Sequence, residues 1–231
     1  VYIALVLLGE VAIFTGLALS YDPGSAALSA QMTPFAAAAL LLGFGVKVGA
    51  LPVHVWLPLA HPAAPVPASA VLSGAMIKAG VIGWIRFLPL GEQAFPALGV
   101  AMLTLGAGAA FYGVVVGLGQ RDAKTILAYS SISQMGYLTV FVGAGLVAPH
   151  WWPVLLPALV LYALHHGLAK AALFIGVGIY THGRATVCWM LALALPALSL
   201  AGAPLTSGAG AKVVMKSMLS DAGLLTAGWH S

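Results

Sequence analysis

Ionisable side chains interrupt the apolar stretches of this sequence, where a charge is costly. They are four lysines, three histidines and one glutamate: Lys47, Lys78, Lys170, Lys212, His54, His165, His166 and Glu10. A charged side chain at the centre of a bilayer costs roughly 2.5–3.5 kcal/mol on insertion scales, so four uncompensated lysines would cost about 10–14 kcal/mol. Intramembrane charges of this kind indicate an ion pathway, although a single lysine can also reach the interface or pair for packing.

Lysines buried in this way can act as proton switches. Desolvation disfavours the charged form of a lysine and a nearby carboxylate favours it, so a lysine whose carboxylate approaches or withdraws exchanges its proton. Several such lysines joined by water would form a proton relay. Glu10 is a candidate ion-pair partner, and packing explains it equally well. His166 and Lys170 lie four residues apart, hence on one helical face, where they are placed for proton handling near neutral pH.

The adjacent histidines His165 and His166 admit a second interpretation, ligation of a haem or a metal ion. Neighbouring side chains on a helix diverge by about 100°, so both cannot easily bind one ion. No carboxylate or cysteine is close to them in sequence, and Cys188 is the single cysteine. We therefore expect no metal site, no cofactor and no redox centre in this chain.

Two of the lysine-bearing stretches contain residues that interrupt helices. Pro52 follows Lys47 by five residues and removes a helical hydrogen bond, so this stretch is expected to break between Lys47 and His54. Pro204, among several glycines, precedes Lys212 in the same manner. Broken membrane helices line polar cavities, which favours a transport path. An ordinary proline kink would explain Pro52 equally well.

The composition requires an apolar solvent around most of the chain. Of its 231 residues 61% are apolar and 6% are charged, whereas soluble domains carry about 25% charged residues. That solvent is a lipid bilayer. The formal net charge of +4 comes from scattered lysines and arginines, which disfavours nucleic-acid binding. Without an initiating Met or a basic leader, the chain is expected to lack a signal peptide and to begin within a longer protein.

Seven apolar stretches, each near the roughly 20 residues that a membrane helix needs, alternate with short turns. The predicted spans of this single transmembrane domain are 1–20, 35–58, 69–88, 95–118, 125–146, 152–180 and 187–219. No stretch alternates apolar and polar residues as barrel strands do, so the predicted fold is an all-α, polytopic helix bundle without strands. The positive-inside rule places the connections with Arg121, Lys124 and Arg184 on the cytoplasmic side, opposite Asp22 and Glu92.

Four segments, taken together and in order, carry a family resemblance. They are VKVGALPVHVWLPLAHPAAPVPASAVLSGAMIKAGVIGWIRF, DAKTILAYSSISQMG, HHGLAKAALF and GAPLTSGAGAK, within the range from Phe35 to Lys216. The chain resembles the antiporter-like family, which comprises large membrane subunits of respiratory complex I, of group 4 membrane-bound hydrogenases and formate hydrogenlyases, and of multisubunit cation/proton (Mrp) antiporters. Such an ordered set is far more specific than any one segment.

The resemblance implies inverted five-helix repeats with two broken helices, of which this chain is the middle and later part. The matching proton-pathway positions are Lys47 and Lys212 on the broken helices, and Lys78, Lys170 and His166 on others. The family's paired glutamate is expected before the start of this chain, because Glu10 does not stand at the expected distance from the first lysine. Leu59 and Tyr162 replace an acid and a second histidine found in relatives.

We predict a subunit that translocates protons, or exchanges Na⁺ for protons, through these residues. The expected partners are other membrane subunits of an NADH:quinone oxidoreductase, a membrane-bound hydrogenase or an antiporter, together with the bilayer and the transported ions. The expected location is a bacterial-type inner membrane. A non-pumping subunit that anchors a redox complex is the alternative, and a haem-binding electron carrier is a third interpretation.

Overall fold

The computed structural model describes residues 2–22, 27–28, 31–181, 183, 186–206, 208–210, 213 and 216–217. Most of these residues are helical, because a chain that crosses lipid must satisfy its own backbone hydrogen bonds. The predicted all-α helix bundle is thereby confirmed. The helices are α1 (Tyr2–Ser20), α2 (Pro34–Val48), α3 (Trp56–Ala63), α4 (Val66–Val71), α5 (Ile77–Phe87), α6 (Pro96–Leu118), α7 (Ala123–Val147), α8 (Trp152–Thr181) and α9 (Val187–Ala201).

Six helical units of the described chain are long and apolar enough to cross a bilayer. They are Tyr2–Ser20, Pro34–Ala63, Val66–Phe87, Pro96–Leu118, Ala123–Val147 and Pro149–Thr181. A shorter apolar helix, Trp189–Ala201, follows them. The last predicted span, 187–219, continues into residues that are only partly described, so the count of seven spans stays a prediction.

The connection between α1 and α2 contains two short strands. β1 (Tyr21–Asp22) and β2 (Ala27–Leu28) pair antiparallel, with Tyr21 opposite Leu28. The expectation of no strands is wrong for this loop. The chain reverses between two helices here, and the two extended ends satisfy each other's backbone groups.

The second span is broken where the sequence predicted a break. α2 ends at Gly49, whose φ of +74° lies in the left-handed region that glycine adopts readily. Pro52 comes later, immediately before a 3₁₀ turn that leads into α3. Gly49 therefore ends the helix, a correction to the role predicted for Pro52. The Trp56 indole N–H donates to the carbonyl of Val46 at 2.8 Å, which satisfies a backbone group that the break releases.

α9 ends in a similar way. Gly202 has a φ of +77° and caps the helix, Pro204 lies in the turn that follows, and helical residues resume at 208–210. The second broken segment thus has its interruption between Ala201 and Gly208. Lys212, the lysine predicted beyond it, lies outside the described residues.

Glycines spaced seven residues apart let α6 and α7 pack backbone to backbone. A Cβ on Gly106 would lie 2.7 Å from the carbonyl oxygen of Gly136, and one on Gly136 would lie 2.5 Å from the carbonyl oxygen of Gly106. Gly99 and Gly113 on α6 meet α7 equally closely. Lipid supplies no hydrophobic force between helices, so close contact of small residues holds such pairs together. This contact positions α7, which carries part of the candidate site.

We expect Gly136→Val to destabilise the protein strongly, because the added side chain would meet backbone atoms that cannot move alone. The free energy of unfolding should fall by about 3 kcal/mol or more, the upper range for overpacking. Thermal unfolding in detergent measures this. Gly108→Ala is the matched control, since a Cβ there has only Leu51 Cδ1 nearby, at 4.0 Å. Equal melting temperatures for the two variants would contradict the close crossing.

Candidate functional site

Glu10 and Lys47 form an ion pair between α1 and α2. The two helices approach closely there: a Cβ added to Gly43 would lie only 2.7 Å from the carbonyl oxygen of Gly9. The side chains of Lys47 and Glu10 are 36% and 52% exposed within the described chain. Lys47 thus meets the candidate partner within this chain, while the glutamate that the resemblance implies before the start of the chain stays a prediction. Glu10 comes from the preceding antiparallel helix, so its separation along the sequence does not measure its distance from the lysine.

Lys78 lies at the start of α5, directly after a π-helical segment, Leu72–Met76. Its side chain is 8% exposed, and its ammonium group donates to the carbonyl of Ser73 inside that segment. Gly167 on α8 packs closely against that segment, since a Cβ there would lie 2.8 Å from the carbonyl oxygen of Gly74. π-Helical segments are rare and often mark functional sites. Lys78 is thus held by a backbone carbonyl, and no described carboxylate forms an ion pair with it.

Hydroxyl groups connect Lys78 to α7 and then to α8. Ser73 Oγ lies 2.8 Å from Ser131 Oγ, which donates to the carbonyl of Leu127 at 3.1 Å. Lys170 Nζ donates to the same carbonyl at 2.8 Å. We call this series the buried polar chain: Lys78, Ser73, Ser131, the Leu127 carbonyl and Lys170. It joins two lysines that are distant in sequence through hydrogen bonds inside the bundle.

Lys170 and His166 both turn inward from α8, as their spacing predicted. Both side chains are fully buried. Neither ring nitrogen of His166 has a hydrogen-bond partner among the described protein groups. The predicted burial of Lys170 is confirmed, and its ammonium group meets a carbonyl instead of lipid. His166 is thus a second buried titratable side chain, one helical turn before Lys170.

His54 lies apart from the buried polar chain. It sits in the 3₁₀ turn after the break in the second span, and its ring meets the edge of the Tyr112 ring at 5.0 Å. The Tyr112 ring in turn lies 6.1 Å from that of Tyr129. The structure therefore groups this candidate with tyrosines of α6 and α7.

His165 faces a different region from His166. It lines a cavity of about 780 Å³ between α8 and α9, together with Ser199 and Thr206. Two neighbouring histidines that diverge in this way cannot bind one metal ion. In the part of the chain that the structure describes, no three His, Cys, Asp or Glu side chains cluster as metal ligands would.

His61 is a buried histidine that the sequence interpretation did not select. It lies near the end of α3, is fully buried, and stacks on Phe174 of α8 with ring centroids 4.3 Å apart. Neither of its ring nitrogens has a described hydrogen-bond partner. The prolines around it indicated a turn beyond the second span, which hid its burial. The sequence feature that could have identified His61 is a single titratable residue shortly after a broken apolar helix.

Comparison with known proteins places this arrangement in a wider group. The transmembrane family described as NADH:quinone oxidoreductase/Mrp antiporter matches residues 4–227. Hydrogenase-4 component B of Escherichia coli is 34% identical over 160 residues, which cover 64% of this chain and 24% of that protein. NADH-quinone oxidoreductase subunit M of Pseudomonas aeruginosa is 35% identical over 156 residues, which cover 65% of this chain and 30% of that protein.

A solved structure has the same fold. A chain of the Mrp complex from Dietzia sp. superposes with a TM-score of 0.78 at 27% identity, covering 98% of this chain and 45% of that chain. The present chain thus spans between 24% and 30% of the length of the two curated relatives. The fold is therefore shared over nearly all of the present chain.

Proposed function

Since this chain belongs to the NADH:quinone oxidoreductase/Mrp antiporter transmembrane family, we propose that it translocates protons through its buried lysines. The path begins at the Glu10–Lys47 pair, continues to Lys78 and ends at Lys170. The buried polar chain lines the part between Lys78 and Lys170, where water would carry the proton, because backbone carbonyls accept hydrogen bonds but do not pass protons on. The observation that carries this proposal is the run of buried polar groups between Lys78 and Lys170, in which Ser73 accepts from Lys78 at its carbonyl and contacts Ser131 with its hydroxyl.

The helix contacts bring the first two lysines near one another. α2 packs against α5 so closely that a Cβ on Gly80 would lie 2.7 Å from the carbonyl oxygen of Phe44. Lys47 is one turn beyond Phe44, and Lys78 is two residues before Gly80. A proton released when Glu10 withdraws from Lys47 would therefore have Lys78 as its nearest buried acceptor along this contact.

The environments of the lysines differ in the way that a relay requires. Lys47 has a carboxylate partner, whereas Lys78 and Lys170 contact backbone carbonyls. A carboxylate favours the charged form of a lysine, and burial without one favours the neutral form. Movement of Glu10 would thus change how strongly the charge of Lys47 is compensated, and a neutral lysine beyond it has a lone pair that can take up a proton.

The complete protein is proposed to work with other membrane subunits in a bacterial-type inner membrane. Two relatives are named as components of a hydrogenase and of an NADH-quinone oxidoreductase, and the structural relative is part of a multisubunit Mrp complex. We assign the driving reaction to such partner subunits. Proton uptake by vesicles containing the complete complex, with and without Na⁺, distinguishes simple proton translocation from Na⁺/H⁺ exchange.

Ser131→Ala tests the buried polar chain directly. Removing this hydroxyl breaks the connection between Ser73 and the Leu127 carbonyl. The rate of proton transport should fall roughly two- to tenfold, the effect on a barrier of one hydrogen bond worth about 0.5–1.5 kcal/mol. Transport is measured with a pH-sensitive dye in reconstituted vesicles.

Ser133→Ala is the matched control for this experiment. Ser133 is also a buried serine of α7, but its hydroxyl donates to the carbonyl of Ala110 on α6 at 2.8 Å. The Ser133→Ala variant should transport protons at the wild-type rate. Equal rates for both serine variants would remove the buried polar chain from the mechanism, whereas the absence of transport in the wild-type complex would favour a non-pumping, anchoring role.

A further inference from the structure

We propose that His61 exchanges protons between Lys170 and the aqueous phase beside the connection at residues 119–122. This proposal rests on the proposed function, since it names the port through which one end of the buried polar chain meets water. His61 is not among the lysines and histidines that the sequence analysis selected as proton-pathway candidates.

The end of the buried polar chain at Lys170 lies close to one end of the helix bundle. Leu127, whose carbonyl accepts from Lys170, is the fifth residue of α7. At a rise of about 1.5 Å per residue, that position lies only about 6 Å along the helix from its first residue. The exposed side chains of Arg121 and Asp122 lie just before this helix. Lys170 is therefore much nearer to this end of α7 than its central position in α8 indicates.

His61 adjoins Lys170 on the same side of α8. Phe174, on which the His61 ring stacks, lies one helical turn beyond Lys170 and is fully buried. The charged groups within electrostatic range of this ring are Lys170 from α8 and Lys124 from α7. The ring thus lies within electrostatic range both of the inner lysine, Lys170, and of Lys124 in the first turn of α7.

The unpartnered nitrogens of His61 give it the capacity for exchange. Buried polar atoms are normally hydrogen-bonded, so a fully buried ring without any described protein partner needs an explanation. A neutral imidazole accepts a proton at one nitrogen and donates from the other, which lets it pass a proton in one direction without turning. Packing against Phe174 alone would be served as well by an apolar ring.

Two hydrogen bonds close the port around His61 in this conformation. Lys124 Nζ donates to the carbonyl of Ala64 at 2.6 Å, which ties the end of α3 to the start of α7. Ser69 Oγ donates to the carbonyl of His61 at 3.1 Å, which ties the same end to α4. Behind this closure His61 is screened from water, so exchange with the aqueous phase requires these contacts to loosen.

The test compares His61→Gln with His61→Glu in the complete, reconstituted complex. Gln cannot titrate, so proton transport should fall by about 10²-fold, the lower range for a proton-transferring side chain. Glu can titrate, so it should restore transport above the level of Gln and move the pH profile to lower pH, because a carboxyl group titrates below an imidazole. His150→Gln, a change at an exposed histidine, should transport as wild type.

Lys170→Ala, measured in parallel, separates this proposal from the proposed function. Impaired transport in Lys170→Ala with wild-type transport in His61→Gln would overturn the port alone, whereas wild-type transport in Lys170→Ala would overturn the relay itself. Equal losses in His61→Gln and His61→Glu with an unchanged pH profile would reduce His61 to a packing residue. If His61→Gln does not assemble, His61→Phe, which keeps the ring stack without a titratable atom, provides the same comparison.

Discussion

Lys47→Ala in the complete protein is expected to lower proton transport by about 10²-fold or more, the effect of losing a proton-transferring side chain. Glu10 is its ion-pair partner and lies on α1, so the change also removes the group that Glu10 would bind and release. The assembled complex should remain intact, because both side chains are partly exposed within the described chain, so that shortening Lys47 removes little packing. Vesicle acidification and the amount of assembled complex measure the two effects separately.

Lys47→Arg sharpens this prediction. Arginine keeps the positive charge and the ion pair with Glu10, but its guanidinium group does not release a proton at accessible pH. Transport should therefore fall even though the charge remains. Arg121→Ala is the control, because Arg121 is exposed, whereas Lys124 is bonded to the carbonyl of Ala64 and is not a simple surface charge. Wild-type transport in Lys47→Arg would show that charge alone, without proton exchange, is what this position requires.

Lys170→Met is expected to abolish transport while leaving stability unchanged or raised. Methionine has a similar length and no charge, and replacement of a buried charge by an apolar group of similar volume is often neutral or stabilising. The loss of transport should again be about 10²-fold or more. Thermal unfolding in detergent and vesicle acidification are measured on the same preparation.

The melting temperature and the rate of proton transport, taken together, distinguish a lysine that relays protons from one that only stabilises the structure. A lysine that only joins α8 to the Leu127 carbonyl would, on removal, lower the melting temperature and spare transport. Arg86→Met, a change at an exposed residue in the last turn of α5, controls for the loss of a positive charge and should alter neither. A lower melting temperature with full transport in Lys170→Met would remove Lys170 from the relay and leave it a structural role.

The sequence by itself determined the features that depend on local order. Its scarcity of charge required a membrane bundle, since lipid admits only side chains and backbones that are apolar or internally satisfied. The spacing of His166 and Lys170 placed them on one face, because the helical period is a property of the chain itself. Pro52, five residues after Lys47, located the break in the second span, although Gly49 and not Pro52 proved to be the residue that ends α2.

Only the tertiary structure decided which groups meet. The partnership of Glu10 with Lys47, the contact of Ser73 with Ser131, and the stacking of His61 on Phe174 join different helices. Each contact depends on the depth and rotation of one helix against another. Close contacts at glycines set this arrangement, and the periodicity within a single helix does not reveal it. Helices in lipid associate through van der Waals packing, which has no preferred direction, so the register between helices follows from the shapes of their surfaces. The polar contacts of this site follow from that register.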